Sequence, residues 1–498
     1  DTFLIALSAA ISWQTLTATL FGSFVGLVFG AIPGLTFTMA LAMVMPFTFT
    51  MDTVPAIALL LSTYIGGMTG GTVSAILIGV PGTPSAAATI FDGYPMAKAG
   101  KASLALGTAT IVSAIGGILS LAIMLVSVDL LARVALAFGP AEITALVVFG
   151  LSTICGLAER SLVRGLIGGI IGLMIMTVGL DPIDATPRFT FGTVTFLQGV
   201  DLLVAMIGLF AVPHVVSALV RWKQGEQYTV NSKDVRVELP SVRLLWSYNG
   251  NILWSGMIGT IVGAIPGTGG PIAAFLAYDQ ARRFSRTPEQ YGKGDMGGVV
   301  APETANNAVT GGAMIPLLGL GIPGDPATAI ILGGLLIHGV QPGPLLFSES
   351  PAVITNIYIL FAFAYLVTTL MQLYGIRLFV RMLQVPQHLL ATGILVMCAV
   401  GSFAIRNSFF DVAAMIVIGF FGYLLLRVRI PVAPVLLGLV LGPTLEREFR
   451  TAMIMSEGNF SIFYSSLPTL LFFGLALLII ALHAFGAIRA RNGLRQPV

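Results

Sequence analysis

Four interruptions in otherwise apolar sequence hold the residues best suited to chemistry. Ala31-Ile32-Pro33-Gly34-Leu35-Thr36 and Ala264-Ile265-Pro266-Gly267-Thr268-Gly269 form one pair. Val80-Pro81-Gly82-Thr83-Pro84-Ser85 and Ile322-Pro323-Gly324-Asp325-Pro326-Ala327-Thr328 form the other. Proline removes a backbone donor and clashes with the preceding turn. A helix arriving at the last of these breaks should therefore stop near Ile322, and another start after Pro326. Each break frees carbonyls on one side and amides on the other. A helix N-terminus carries about half a positive charge and favours an anion such as a carboxylate; freed carbonyls with Asn or Asp side chains suit a sodium ion. Within lipid, irregular backbone survives only when buried in protein or facing water. The breaks thus predict a solute site, with their residues as candidate substrate contacts. The competing reading is a set of simple proline kinks or surface turns.

Polar residues at membrane depth extend the candidate set. Glu303 and Asn307 stand four apart, on one helix face, with Asn306 beside them. Ionisable groups are costly in lipid and mark function, and oxygen ligands suit a hard cation. Glu303, Asn306, Asn307 and Asp325 are the candidate ion-coupling residues. Asp325 favours an anion only when a bound cation neutralises it. Two readings of Glu303 stay open: ion ligand, or a boundary residue with Asn306 and Asn307 as interhelical hydrogen-bond formers. The run Tyr64 to Ser74 contains four glycines that let helices approach closely; Tyr64, Thr69 and Ser74 are its members able to touch a solute. Asp92-Gly93-Tyr94-Pro95 reads as a surface turn. His214, His338, His388 and His483 have no metal spacing, and HExxH, CxxC, Walker and GxSxG motifs do not occur. Neither an enzyme nor a metal site beyond a possible sodium ion is expected.

The elements that must position these groups follow from composition. The chain has 498 residues, 56% hydrophobic and 9% charged, against about 25% charged in soluble domains. It reads as an all-α polytopic membrane protein, with about 10–12 transmembrane segments. The net charge of +3 sits in loops, a topology signal rather than a nucleic-acid surface. Cys155 and Cys398 read as buried thiols without a disulfide framework. Gly26 to Gly34 recurs as Gly259 to Gly267, and Gly79 to Pro84 as Gly321 to Pro326; Gly139-Pro140 and Cys155 are echoed by Val385-Pro386 and Cys398. The chain therefore divides into a first membrane repeat over 1–220, a cytoplasmic linker over 221–249 and a second repeat over 250–498. Equivalent loops differ in basic content: Arg282, Arg283, Arg286 and Lys293 follow the second Ala-Ile-Pro-Gly unit, whereas the Met51-Asp52-Thr53 stretch has none. Under the positive-inside rule this predicts inverted topology. Arg133 and the pair Arg377 and Arg381 cut across that pattern and read as short amphipathic helices along the interface.

These runs, together with Asp92 to Met96, Ala301 to Leu317, Gly179-Leu180-Asp181-Pro182 and Arg188 to Gly192, resemble the large membrane subunit of tripartite tricarboxylate transporters (TctA type) over nearly the full chain. The resemblance implies a multi-pass protein of the bacterial cytoplasmic (inner) membrane. It implies two partners, a small four-helix membrane subunit (TctB type) and a periplasmic solute-binding protein (TctC type). Implied substrates are organic carboxylates, citrate being the best known, taken up with a coupling ion, typically sodium. An elevator motion with paired re-entrant hairpins is likewise implied. The expected function is secondary active uptake of small di- or tricarboxylates. Proton coupling, a passive anion channel and an intramembrane hydrolase are the alternatives.

Overall fold

The computed structural model describes residues 7–33, 35–135, 138–152, 162–181, 183–223, 237–266, 269–382 and 387–493. Gly34, Gly267, Thr268, Cys155 and Val385-Pro386 lie outside them. Nineteen α-helices, four short 3-10 turns and one two-stranded hairpin make up the ordered elements among the described residues. Among the described residues, five helices are long and apolar enough to cross a bilayer: Trp13–Ala31, Thr53–Ile78, Ala102–Leu131, Pro351–Arg381 and Phe409–Arg427. Shorter apolar helices, such as Phe37–Thr48 and Pro326–Ile337, accompany them.

The chain forms two compact units, each taking segments from both sequence halves. The first comprises Asp1–Ala132 and His214–Asn407. At its centre is the Thr53–Ile78 helix, whose apolar core stretch is wholly buried. Glycine sets how tightly helices pack here. A Cβ added to Gly30 would fall 2.3 Å from the Gly67 carbonyl, joining Trp13–Ala31 to Thr53–Ile78. One added to Gly263 would fall 2.6 Å from the Val309 carbonyl, joining Asn249–Ala264 to Gly297–Leu320. Small residues replace side-chain interdigitation with backbone contact, which lipid-embedded helices use for association.

The sequence repeat is matched by repeated backbone geometry. Ile32 ends its helix at φ −86°, ψ 115°, and Ile265 at φ −88°, ψ 108°. Gly79 and Gly321 end theirs in the left-handed region, at φ 68°, ψ 21° and φ 72°, ψ 17°. Left-handed caps favour glycine because it lacks a Cβ.

The second unit comprises Arg133–Pro213 and Ser408–Val498. Its hairpin pairs Gly179 with Arg188. Arg188 donates to Glu446 (2.6 Å), while Arg450 donates to Asp181 (2.7 Å) and Asp184 (2.6 Å). The interfacial helices expected around Arg133, Arg377 and Arg381 are not separate elements. Ala102–Ala135 and Pro351–Met382 run unbroken for 34 and 32 residues to include them, because no Pro–Gly pair interrupts either run.

Candidate functional site

Within the first unit, the Gly79–Ser85 break ends the Thr53–Ile78 helix and leads into a short 3-10 turn, Pro84–Ala87. Its backbone folds tightly onto neighbouring carbonyls: a Cβ on Gly82 would lie 2.0 Å from the Gly30 oxygen and 2.8 Å from Ser74 Oγ. Pro84 is exposed, whereas Thr83 and Ser85 are buried. Thr83 Oγ1 has no hydrogen-bond partner. Nor has Asn306 Oδ1, although Asn306 Nδ2 donates to the Met68 carbonyl at 3.1 Å. The point where a Cβ on Gly270 would sit lies 2.3 Å from Ser85 Oγ and 3.1 Å from Asn306 Oδ1. Glycine at 270 lets Ser85 and Asn306 approach this closely, where a Cβ would clash with Ser85 Oγ. Buried oxygens without partners cost about 1–3 kcal/mol each, so the two are exceptions among buried polar atoms.

The matching break, Gly321–Thr328, is closed. The Gly297–Leu320 helix stops and Pro326–Ile337 begins, close to the expected boundaries. Asp325 caps the new helix. Its Oδ1 accepts from the Thr328 amide (2.7 Å) and hydroxyl (2.8 Å), its own amide donates to Thr328 Oγ1 (2.9 Å), and Oδ2 accepts from the Tyr64 hydroxyl (2.5 Å). A proline in the first turn completes the helix start. Pro323, Gly324, Ala327 and Thr328 are buried and Pro326 is half-buried. A Cβ on Gly324 would lie 2.9 Å from the Gly263 oxygen, the counterpart of Gly82 against Gly30.

Both breaks rest on the Thr53–Ile78 helix. Tyr64 reaches Asp325, while a Cβ on Gly71 would meet Thr83 Oγ1 at 2.4 Å. These contact points are about 10 Å apart along the helix, at 1.5 Å per residue. Among the described residues, no hydrogen bond joins 81–85 directly to 323–328.

Glu303 lies one helical turn from Asn306 and is fully buried. Three hydroxyls donate to it: Thr89 (2.5 Å) to Oε1, and Thr72 (2.7 Å) and Ser113 (3.3 Å) to Oε2. No basic side chain pairs with it among the described residues. Asn307 is fully engaged. Its Oδ1 accepts from Thr69 (2.8 Å) and its Nδ2 donates to Ser113 Oγ (2.7 Å) and the Glu303 carbonyl (3.1 Å), while the Tyr365 hydroxyl donates to its carbonyl (3.0 Å).

Hydrogen bonds and close packing thus gather Thr69, Ser74, Thr83, Ser85, Glu303, Asn306 and Asn307 around the C-terminal half of the Thr53–Ile78 helix. Thr36 instead caps Phe37–Thr48, accepting from the Met39 amide at 3.2 Å. Pro33 is buried and Gly269 takes a positive φ of 67°. Sequence reasoning missed Thr72, Thr89, Ser113 and Tyr365. It also took Asp92 for a surface residue; Asp92 is fully buried within the Ile90–Lys98 helix. The expected burial of Cys398 is seen. An apolar cavity of about 570 Å³, lined by Val148, Leu173, Phe449, Phe463 and Phe473, belongs to the second unit and contains none of the candidate residues.

Comparison with known proteins fits this picture. A family model described as tripartite tricarboxylate transporter TctA family matches residues 16–437. An uncharacterised 52.8 kDa protein of the TAR-I ttuC' 3' region of Agrobacterium vitis is 36% identical over 470 residues, covering 93% of this chain and 92% of that protein. A protein of the TAR-II ttuC' 3' region of the same organism is 38% identical over 234 residues, covering 47% of this chain and 97% of its own length. No solved structure matches.

Proposed function

Since the chain belongs to the tripartite tricarboxylate transporter TctA family, we propose that it is the large permease subunit of a binding-protein-dependent system that takes up small organic di- or tricarboxylates with sodium. A four-helix membrane subunit and a periplasmic binding protein are its proposed partners, and the cytoplasmic membrane its location. The observation that carries this reading is the polar cluster around Glu303. Asn306 Oδ1 and Thr83 Oγ1 are buried without partners, in a cluster with a carboxylate that no basic residue neutralises among the described residues. An oxygen-only set of this kind fits a hard monovalent cation.

In this reading sodium is cargo, held by Asn306 Oδ1 with the Ser85 and Thr83 hydroxyls, and Glu303 supplies the compensating charge. Asn307, its amide fully bonded, orients Thr69 and Ser113 rather than binding the ion. Asp325 serves as a helix cap. The cation offsets the Glu303 charge and lets the substrate carboxylate approach the amides of the Pro81–Ser85 break, where Pro84 is exposed. The repeated caps at Gly79 and Gly321 support a duplication, and the unequal basicity of equivalent loops supports inverted halves moving by alternating access, in elevator fashion.

Glu303 also favours a second reading. A buried carboxylate served only by hydroxyls could itself carry a proton across. Proteoliposomes holding all three components, given a panel of radiolabelled di- and tricarboxylates, separate the two. Uptake driven by a sodium gradient at constant pH supports the first reading, and uptake driven only by a proton gradient supports the second. Indifference to both gradients removes ion coupling altogether.

A further inference from the structure

The reading above leaves one heavily bonded group in the first unit without a role. Asp92 is fully buried on the first turn of the Ile90–Lys98 helix. Its Oδ1 accepts from the backbone amides of Gly292, Gly294 and Asp295, each at 2.8 Å. Oδ2 accepts from the Tyr278 hydroxyl at 2.8 Å and again from the Gly292 amide at 3.0 Å. Gly292 and Gly294 turn their amides inward at φ 85° and 102°, a backbone that side-chain-bearing residues avoid. Converging amides of this kind form a concavity for an anion. Here the anion is a side chain some 200 residues earlier in the chain. A Cβ on Gly298 would lie 2.0 Å from Asp92 Oδ2, so glycine there leaves the carboxylate its room. Phe91 and Tyr291 both pack against the Tyr278 ring, at 5.4 and 5.6 Å between centroids.

What this anchor fixes lies one turn away. The Gly93 amide donates to the Thr89 carbonyl at 2.8 Å, tying the two positions into one turn. Thr89 in turn gives Glu303 the shortest of its three hydroxyl bonds, at 2.5 Å. We propose that Asp92 is a positioning residue: by bolting the Ile90–Lys98 helix to the 292–295 turn, it holds the Thr89 hydroxyl on Glu303 and so sets the cation affinity of the polar cluster around it. The inference rests on the sodium reading above. It goes beyond it in naming the outer shell that tunes the site, as partners behind ion ligands commonly do.

The test uses the full chain purified in detergent, with sodium alone as probe. Ligands that bind only the folded state stabilise it by RT ln(1 + c/Kd) at free concentration c, so fitting a sodium titration of the melting temperature at constant ionic strength, with choline as the replacement cation, gives the sodium Kd, the half-maximal concentration for binding. Asp92→Asn keeps the shape but weakens the hold of the amides; Thr89→Val removes the hydroxyl itself. Each should raise the half-maximal concentration roughly tenfold, equivalent to about 1.4 kcal/mol. The double variant should be no worse than Thr89→Val, because residues acting through one contact are not additive. Tyr278→Phe, which removes one donor, should move the midpoint in the same direction but less, and it carries the comparison if Asp92→Asn does not fold.

A merely structural Asp92 would lower the sodium-free melting temperature and leave the midpoint where it is; that result overturns the inference. Strictly additive effects of Asp92→Asn and Thr89→Val overturn it too, as does an unmoved midpoint in Thr89→Val. Failure of the sodium reading looks different: the unaltered protein itself gains no stability from sodium over choline, and the inference falls with it.

Discussion

The two Pro–Gly breaks of the first unit share a backbone and differ in how their polar atoms are used. At 321–328 every polar side-chain atom is committed: Asp325 takes Tyr64 and Thr328, and Thr328 returns its hydroxyl to the Asp325 amide. At 79–85 the position matching Asp325 is Thr83, which has nothing to bond. By the same register Tyr64 matches Asn306, whose oxygen is also unpartnered. One repeat thus closes its break with an internal carboxylate, and the other leaves the same two positions open. The difference teaches that a shared backbone geometry can carry different side-chain bonding: at two matched positions one break is closed by a carboxylate, and the other keeps unpartnered oxygens.

The harshest challenge to that division is Glu303→Gln. Glutamine can still accept from the surrounding hydroxyls, so the fold should hold. The charge that balances a bound cation is gone, and sodium-driven uptake should fall roughly a hundredfold or more, the scale of about 3 kcal/mol for breaking a buried charge pair. Uptake in proteoliposomes at normal rates would mean that the open break is not where coupling occurs.

Next come two substitutions with opposite signatures. Asp325→Asn weakens the cap and the Tyr64 bond, and should lower unfolding stability by about 2 kcal/mol. The sodium dependence of the protein that remains folded should not move. Asn306→Ala removes a buried acceptor that lacked a partner along with the Nδ2 bond to the Met68 carbonyl, so the two offset and stability should fall by no more than about 1 kcal/mol. Its half-maximal sodium concentration should climb roughly tenfold, on the order of one lost ligand bond. Detergent melting curves and sodium-dependent uptake, measured on both variants, decide the matter. If the signatures were exchanged, the closed break would be the functional one.

Much of this arrangement is legible in the sequence, and the part that is not has a physical reason. The breaks announce themselves because Pro and Gly act locally, so helix ends near Gly79 and Gly321 follow from the residues alone. Glu303 and Asn306 stand out because polar groups in apolar runs are costly. Asp325 also stands out, and an N-cap followed by Pro326 already spells the helix start that the structure shows. What could not be read is the shell around Glu303. Thr72, Thr89 and Ser113 sit 231, 214 and 190 residues away in the chain, and hydroxyls are ordinary in membrane helices. Asp92 hid for a similar reason. Asp-Gly-Tyr-Pro has the composition of a turn, and only the amides of 292–295 reveal it as buried.

The second unit supplies the control, because the carboxylates at its hairpin are held by arginines. Asp181 sits 7% exposed, close to Arg188 (3.3 Å) and Arg450 (2.7 Å). The amides of Asp184 and Ile183, assisted by Arg450, depress its pKa from 3.8 to about 2. A carboxylate depressed in the folded state contributes its full stability above the unfolded pKa and loses it as pH falls through the folded one. The clamp on the Gly179–Arg188 hairpin should therefore be unchanged between pH 7 and 5, weaken below about pH 4, and be lost near pH 2. Limited proteolysis within 183–201, using an acid-active protease, follows this directly. Because Asp181 stays charged between pH 7 and 5, a change in sodium dependence over that range must come from other groups. A cleavage rate that rose already at pH 5 would remove the control, and acid effects on uptake could then no longer be referred to the open break and its Glu303.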